Sequence, residues 1–334
     1  MSLYNINSGY GQLQAIAIAN KISTFGRFLI VIPNTDPNYE RVVNLFKVDG
    51  GDGKVRLFNT LNEAYNEAIS NSNDVILMSS YSSHTITPIL WTKNRIHVIG
   101  LDGGDRLIQQ GAKIQNSITS TEAYVIKDIG VRNSFINLKT IQISTEATAL
   151  SVFQGGGEGT LFKNTSYVFG VDDNLGDVNA SEFIAGTDSC TFLDCTFGSD
   201  TLLTTVARTV FKIDQVVPSQ EFKSNILRRC NFLISSSDAD AKLISGVATS
   251  DIKFTNHFDS PTLMATIVGS ASAIALNSAV STPDGLVEGG IYLSYPRAFN
   301  ITNLGVNGGN NDNLQVVAPL CSNTDIVGTA PIAT

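Results

Sequence analysis

The sequence predicts an all-β fold, a solenoid of short strands, and three observations carry that prediction. A phrase of two alternating strands joined at a polar corner recurs between residues 135 and 258, its first apolar residues spaced 27, 30, 35 and 27 apart. An amphipathic helix with its own capping box stands directly ahead of the first strands. Charged residues make up only 16% of the 334-residue chain against 43% apolar, and Ser, Thr, Asn and Gly fill the polar positions. That balance suits a long β-structure with a polar, weakly ionised surface. A β-sandwich with regularly spaced strands is the competing architecture. The corner residue's fixed place within each phrase favours stacked coils, each laying its inward residues on the coil below.

Residues 1–56 form a lead-in. The run FLIVIP (28–33) is too short to span a bilayer. MSLYNINSGYGQ has no basic stretch before an apolar one, so no export signal is expected. LQAIAIANKI (13–22) is more apolar than a free terminus needs, which marks a contact surface. In NTLNEAYNEAISNSNDVILM (59–78), Thr60 and Glu63 make the capping box, and Leu61, Ala64, Tyr65, Ala68 and Ile69 follow at helical spacing. The helix predicted over 59–70 would cover the exposed apolar end of the first coil.

The solenoid is expected from 57 to 285. Val75–Met78 is an apolar strand, and HTITPILWTKNRIHVIG (84–100) holds two more alternating strands. The phrases then run FINLKTIQI (135–143), LFKNTSYVF (161–169), CTFLDCTF (190–197), LRRCNF (227–232) and FTNHF (254–258). Asn137, Asn164, Asp194, Arg229 and Asn256 stand at the corners, where side chains that bond nearby backbone suit a sharp turn. Residues 262–281 suit a last coil, a closing helix or an oligomer contact. The segment 286–334 is a β-rich extension, suited to strand addition on a partner or to a terminal hairpin.

These residues resemble a known family. The order helix, NDVILM, extended HTITPILW, then NRIHVIGLDGGD is similar to the first coils of pectin-lyase-like right-handed parallel β-helix proteins. The preceding segment, with Thr35-Asp36-Pro37-Asn38, ERVVNLF and the Asp49–Gly53 loop, resembles the lead-in of β-helix proteins among tailed-phage virion genes. At SSYSSHT this chain departs from the Pro-Gly-His of those relatives. The resemblance implies a single-stranded right-handed parallel β-helix and a structural role in a phage particle, as a capsid decoration or cement protein. The implied partners are the major capsid protein or other virion proteins and further copies of the chain, a homotrimer by analogy. Assembly in the host cytoplasm and a place on the capsid surface follow from the same resemblance. A tailspike-like polysaccharide depolymerase, lyase or hydrolase, or a non-catalytic spike with weak host-glycan binding is the alternative.

Other classes are disfavoured by the residues themselves. A net charge of −8 without Lys/Arg runs is wrong for wrapping nucleic acid. Cys190, Cys195, Cys230 and Cys321 match no zinc spacing, and His84, His97 and His257 do not complete one, so buried free thiols and no cofactor are expected. Glycosidase chemistry needs two carboxylates across the scissile bond. NTD (34–36) sits in a turn before the cap, and Asp172, Asp173 and Asp177 read as a solvated loop or a Ca²⁺ loop. Arg228 and Arg229 suit structural pairing, His257 a polar turn and Trp91 the core. Neither DGGDGKV (49–55) nor GGGEG (155–159) fits a phosphate loop or dinucleotide turn. The expectation is no enzyme, with no catalytic, cofactor or metal residues.

Overall fold

The computed structural model describes Ile16, Ile18 and residues 26–47, 55–101, 111–170, 177–206, 208–218, 220–238, 241–246, 251–267, 272–277, 289–300, 303–308 and 314–317. Its strands form the expected parallel β-helix. Three sheets run the length of the solenoid, two of them eight-stranded, and the pairings between successive coils are parallel. The coil around the cysteines shows the plan: Thr191–Leu193 lies in sheet 1, Thr196–Thr204 in sheet 2 and Thr209–Ile213 in sheet 3.

Each coil turns on left-handed residues. Asn137, Asn164, Asp194, Arg229, Ser260 and Tyr295, with φ between 50° and 56°, stand between the sheet 1 and sheet 2 strands. Arg132, Ser189 and Ser224 hold the same conformation two residues before sheet 1 strands. A left-handed residue reverses the side-chain phase, so the residue after it points inward. CTFLDCTF is thereby explained: Cys190 follows Ser189 and Cys195 follows Asp194, the equivalent place at two corners of one coil. Backbone donors turned inward there are met by side chains of the next coil. The Asn225 Oδ1 accepts the Cys190 N–H at 3.0 Å, Cys190 Sγ accepts the Thr160 N–H at 3.3 Å, and Asn133 Oδ1 accepts the Ile96 N–H at 3.0 Å. Cys190, Cys195 and Cys230 are free buried thiols. Burial raises the Cys190 and Cys230 thiols above the ordinary range, which keeps them unreactive. Cys321 lies outside the described residues.

One expected corner is displaced. FTNHF belongs to a longer strand, Asp251–Asp259, whose Phe258 pairs with Leu227. The corner is Ser260, and Asn256 is instead a buried side chain whose Oδ1 accepts the Asn225 N–H at 3.0 Å. The Phe column inside the solenoid therefore runs Phe135, Phe162, Phe192 and then Leu227 and Phe258.

The chain's front end is woven into the solenoid. Strand β1 (Phe28–Val31) lies between β2 (Val55–Phe58) and β3 (Val75–Met78) in sheet 1. Helix α1 (Tyr39–Lys47) intervenes, and α2 (Leu61–Glu67) occupies the predicted capping position. Thr60 accepts the Glu63 N–H at 3.2 Å while Glu63 accepts the Thr60 N–H at 3.1 Å, completing the capping box. The helix satisfies the edge strands beneath it. Asn62 bonds both backbone groups of Thr87, and the Tyr65 hydroxyl accepts the Thr92 N–H at 2.8 Å. Lys93 Nζ donates to the Tyr65, Asn66 and Ala68 carbonyls, closing the helix C-terminus. Trp91 is fully buried, with Tyr65 and Phe135 rings 4.3 and 5.3 Å away.

The ladder crosses both expected domain boundaries. At 56/57 the lead-in is not a separate segment, because β1 inserts between later strands. A second apolar cluster forms outside sheet 1 from Phe28, Ile30, Val75, Leu77 and Ile99, with Ile16, Tyr39 and Val42 packed on it. The apolar character of 13–22 is thus used at Ile16 within its own chain. At 285/286 coils continue: Gly289–Ser294, Arg297–Phe299, Asn303–Gly308 and Leu314–Val317 pair in parallel with the preceding coil. A hairpin is replaced by further stacking because Ile291, Leu293 and Ala298 keep the inward phase. Among the described residues no helix is long and apolar enough to cross a membrane.

Candidate functional site

The outer face of sheet 1 changes character along the solenoid. Over the first coils it is covered by α1 and Ile16, as far as Ile136 and Leu161. Beyond them the outward positions are Thr191 and Leu193, Ile226 and Arg228, His257 and Asp259, then Tyr292 and Ser294, joined rung to rung. Ile226, Arg228 and His257 are exposed. The His257 and Tyr292 rings stand 5.6 Å apart. His257 therefore lies mid-strand, not in the turn the sequence suggested, because the corner has moved to Ser260.

Charges border this face and are tied in pairs between coils. Arg228 Nε donates to Asp259 at 2.9 Å. Arg229 grips Asp194 with two bonds of 2.6 and 2.8 Å, which raises its pKa further. On the opposite edge Lys223 reaches Glu221 at 3.0 Å and Asp188 at 3.1 Å, and these two carboxylates raise its pKa. Each cation stands beside a carboxylate of the same or a neighbouring coil, so the pairs lock the rungs together. The carboxylates engaged this way serve structure first. What remains for solvent is a rigid row in which exposed Ile226 and His257 and the half-buried Tyr292 ring stand side by side, suited to non-covalent recognition. The sequence reading missed this face because it is assembled from coils 30 or more residues apart; aligning the corners at 194, 229 and 260 would have revealed it.

Three other groupings bring side chains of reactive types together. Asp36, Ser79 and His84 have the residue types of a nucleophilic triad. Ser79 Oγ donates to Asp36 at 3.0 Å, however, and His84 Nε2 donates to the Ser79 carbonyl at 2.6 Å. The imidazole does not face the hydroxyl, so no base activates it. The cluster pins the Thr35–Asn38 turn to the first coil, and burial lowers the His84 pKa. Asp177 accepts from the Asn179 backbone and side-chain amides at 2.7 and 3.0 Å, a local turn. Asp172 and Asp173 lie outside the described residues, as does most of DGGDGKV. Among the described residues no three His, Cys, Asp or Glu side chains group closely enough to hold a metal ion.

Asp128 is the third. It is fully buried at a corner and accepts from the Gly130 N–H, Asn133 Nδ2 and Thr160 Oγ1 at 3.1, 2.9 and 3.3 Å. Desolvation outweighs these bonds and raises its pKa to about 7. The folded state thus binds a proton that the unfolded chain releases near pH 4, so this contribution to stability is lost as pH rises from about 4 to about 7. In Asp128→Asn the amide can donate to Thr160 while its oxygen keeps the other donors. Thermal melts should show the variant gaining on the wild type between pH 5 and pH 8; a difference that is flat or grows toward acid would sink this reading.

No protein-family description and no curated protein matches the sequence. Similar solved structures include a pectin methylesterase variant in complex with a hexasaccharide, at 12% identity, covering 92% of this chain and 94% of that one, with a TM-score of 0.49. The pectin methylesterase of Erwinia chrysanthemi is 13% identical over 87% of this chain and 74% of its own, TM-score 0.38. That of Aspergillus niger is 11% identical over 93% and 91%, TM-score 0.35. All three are enzymes, and the expectation of no enzyme is corrected on that finding. At these identities the likeness is one of fold alone and assigns no catalytic residue here: the chain shares the parallel β-helix of pectin methylesterases.

Proposed function

We propose that this chain is a structural protein of a tailed-phage particle, a β-helix seated on the capsid surface through the major capsid protein or another virion protein. The observation that carries the reading is the lead-in, whose Thr35-Asp36-Pro37-Asn38 turn, amphipathic α1 and capping α2 resemble phage-encoded β-helix proteins. Its place in the fold gives that resemblance a physical meaning. The lead-in is built into the first coil, with Asp36 held by Ser79, and so presents a pre-ordered surface. The weakly charged, Ser/Thr/Asn-rich coils suit a permanently exposed shell. Copy-number proteomics of purified particles tests the proposal. Hundreds of copies place the protein on the capsid, and a dozen or so on the tail. Absence from the particle overturns it. Incubation with host capsular or uronate polysaccharides addresses the alternative: new reducing or unsaturated ends would make it a glycan-active spike.

A further inference from the structure

The outer face of sheet 2 differs from the other two. Register sets Ile141, Val168, Leu233, Met264 and Phe299 on one outward row of successive rungs. Between Val168 and Leu233 the row is filled by Gly198, held at φ 82° with the Leu233 carbonyl where a side chain would stand. Phe299 is 48% exposed and the other four are half-buried. Six rungs at about 4.8 Å make an apolar stripe about 24 Å long.

The flanks of the stripe carry opposite charge. Lys113 and Lys139 are register neighbours on the side nearest the sheet 1 corner. Each coil that holds one of them sends an exposed acid out on the other side, Glu122 after Lys113 and Glu146 after Lys139. None of the four makes an ion pair within the described residues. Burial and the neighbouring Lys113 lower the Lys139 pKa, so that ammonium gains from an added carboxylate. An apolar stripe at constant rung spacing is matched in pitch by another copy of itself. When two such faces meet with their solenoid axes parallel, the basic flank of each lies against the acidic flank of the other, at the same height. Turned antiparallel, like flanks would meet.

We propose that the outer face of sheet 2 is a self-association surface, on which a second copy of this chain packs face to face, parallel and in register, the two copies related by a two-fold axis along the solenoid. This pairing closes at two copies and so differs from the homotrimer expected from the sequence. The proposal is independent of the phage reading, since it concerns the chain alone.

Analytical ultracentrifugation of the full chain tests it. The wild type should sediment as a dimer, and Leu233→Asp combined with Met264→Asp should sediment as a monomer with an unchanged circular dichroism spectrum. Ser245→Asp, on the outer face of sheet 3, should leave the oligomer intact. Lys139→Glu and Glu146→Lys should each weaken association roughly five-fold or more, and together should restore it. A wild type that is monomeric at micromolar concentration overturns the proposal. So does an oligomer that survives the Leu233/Met264 substitutions, or a charge swap that fails to restore association.

Discussion

Phe183→Ala is expected to lose about 3–5 kcal/mol of stability, at the upper end of what one aromatic deletion costs. Phe183 is fully buried at the centre of a second aromatic column, the sheet 3 row Phe153, Phe183 and Phe211. It stacks between Phe153 and Phe211 of the coils on either side, with centroids 5.3 and 5.4 Å away, and meets Phe162, Tyr167, Phe192 and Phe197 edge-on within 5.6 Å. Deleting the ring strips contacts from six others at once. The cavity has no easy way to collapse, because parallel ladders fix the backbone above and below it. Gly155 is shaped for this ring: a Cβ there would lie 2.8 Å from its tip. Urea unfolding followed by circular dichroism measures the loss. Tyr81→Ala, at a position 74% exposed, should stay within about 0.5 kcal/mol of wild type. A Phe183→Ala loss below about 1.5 kcal/mol would mean that the column is loose rather than close-packed.

The Phe column of sheet 1, which packs against this one, shows how much of the fold could be read from the sequence. Phe135, Phe162, Phe192 and Leu227 keep one offset from corners filled by Asn137, Asn164, Asp194 and Arg229, so the middle coils are legible. Asn and Asp tolerate the left-handed conformation and announce the turn. The signal fails where the corner is taken by residues without that preference. Ser260 and Tyr295 turn the chain as sharply as Asn137 does, yet nothing in their chemistry marks them. The phrase at 254–258 was therefore read four residues out of phase, and the coils beyond 286 passed for an extension. The front end was hidden for a different reason. Strand β1 pairs with β2 and β3 out of chain order, and local pattern carries no information about which later strand will lie beside it. The sheet 1 face escaped likewise, since Asp194 with Arg229 and Arg228 with Asp259 become neighbours only once the coils are stacked.

Arg208→Met should cost about as much as Phe183→Ala, roughly 3–5 kcal/mol at pH 8, and for a reason no local sequence signal contains. Arg208 and Glu182 lie 26 residues apart and are 1% and 2% exposed, joined by two bonds of 2.9 and 2.5 Å with the guanidinium 5.5 Å over the Phe169 ring. Burial raises the Glu182 pKa, and Arg208 is the main influence opposing it. With methionine in place of Arg208 the carboxylate remains, without its cation, inside the solenoid. It escapes the penalty only by taking up a proton. A carboxyl whose folded pKa is raised is stabilising below that pKa and costly above it, so the deficit of Arg208→Met should shrink as pH falls from 8 to 5. Pairing Arg208→Met with Glu182→Leu removes the orphaned charge and should recover most of the loss, because a buried ion pair contributes little net stability compared with apolar groups of similar volume. Urea titrations of the single and double variants at both pH values separate the two components. If the double variant is as unstable as the single one, and both are independent of pH, Arg208 stabilises the coil by packing on Phe169 and not by neutralising Glu182.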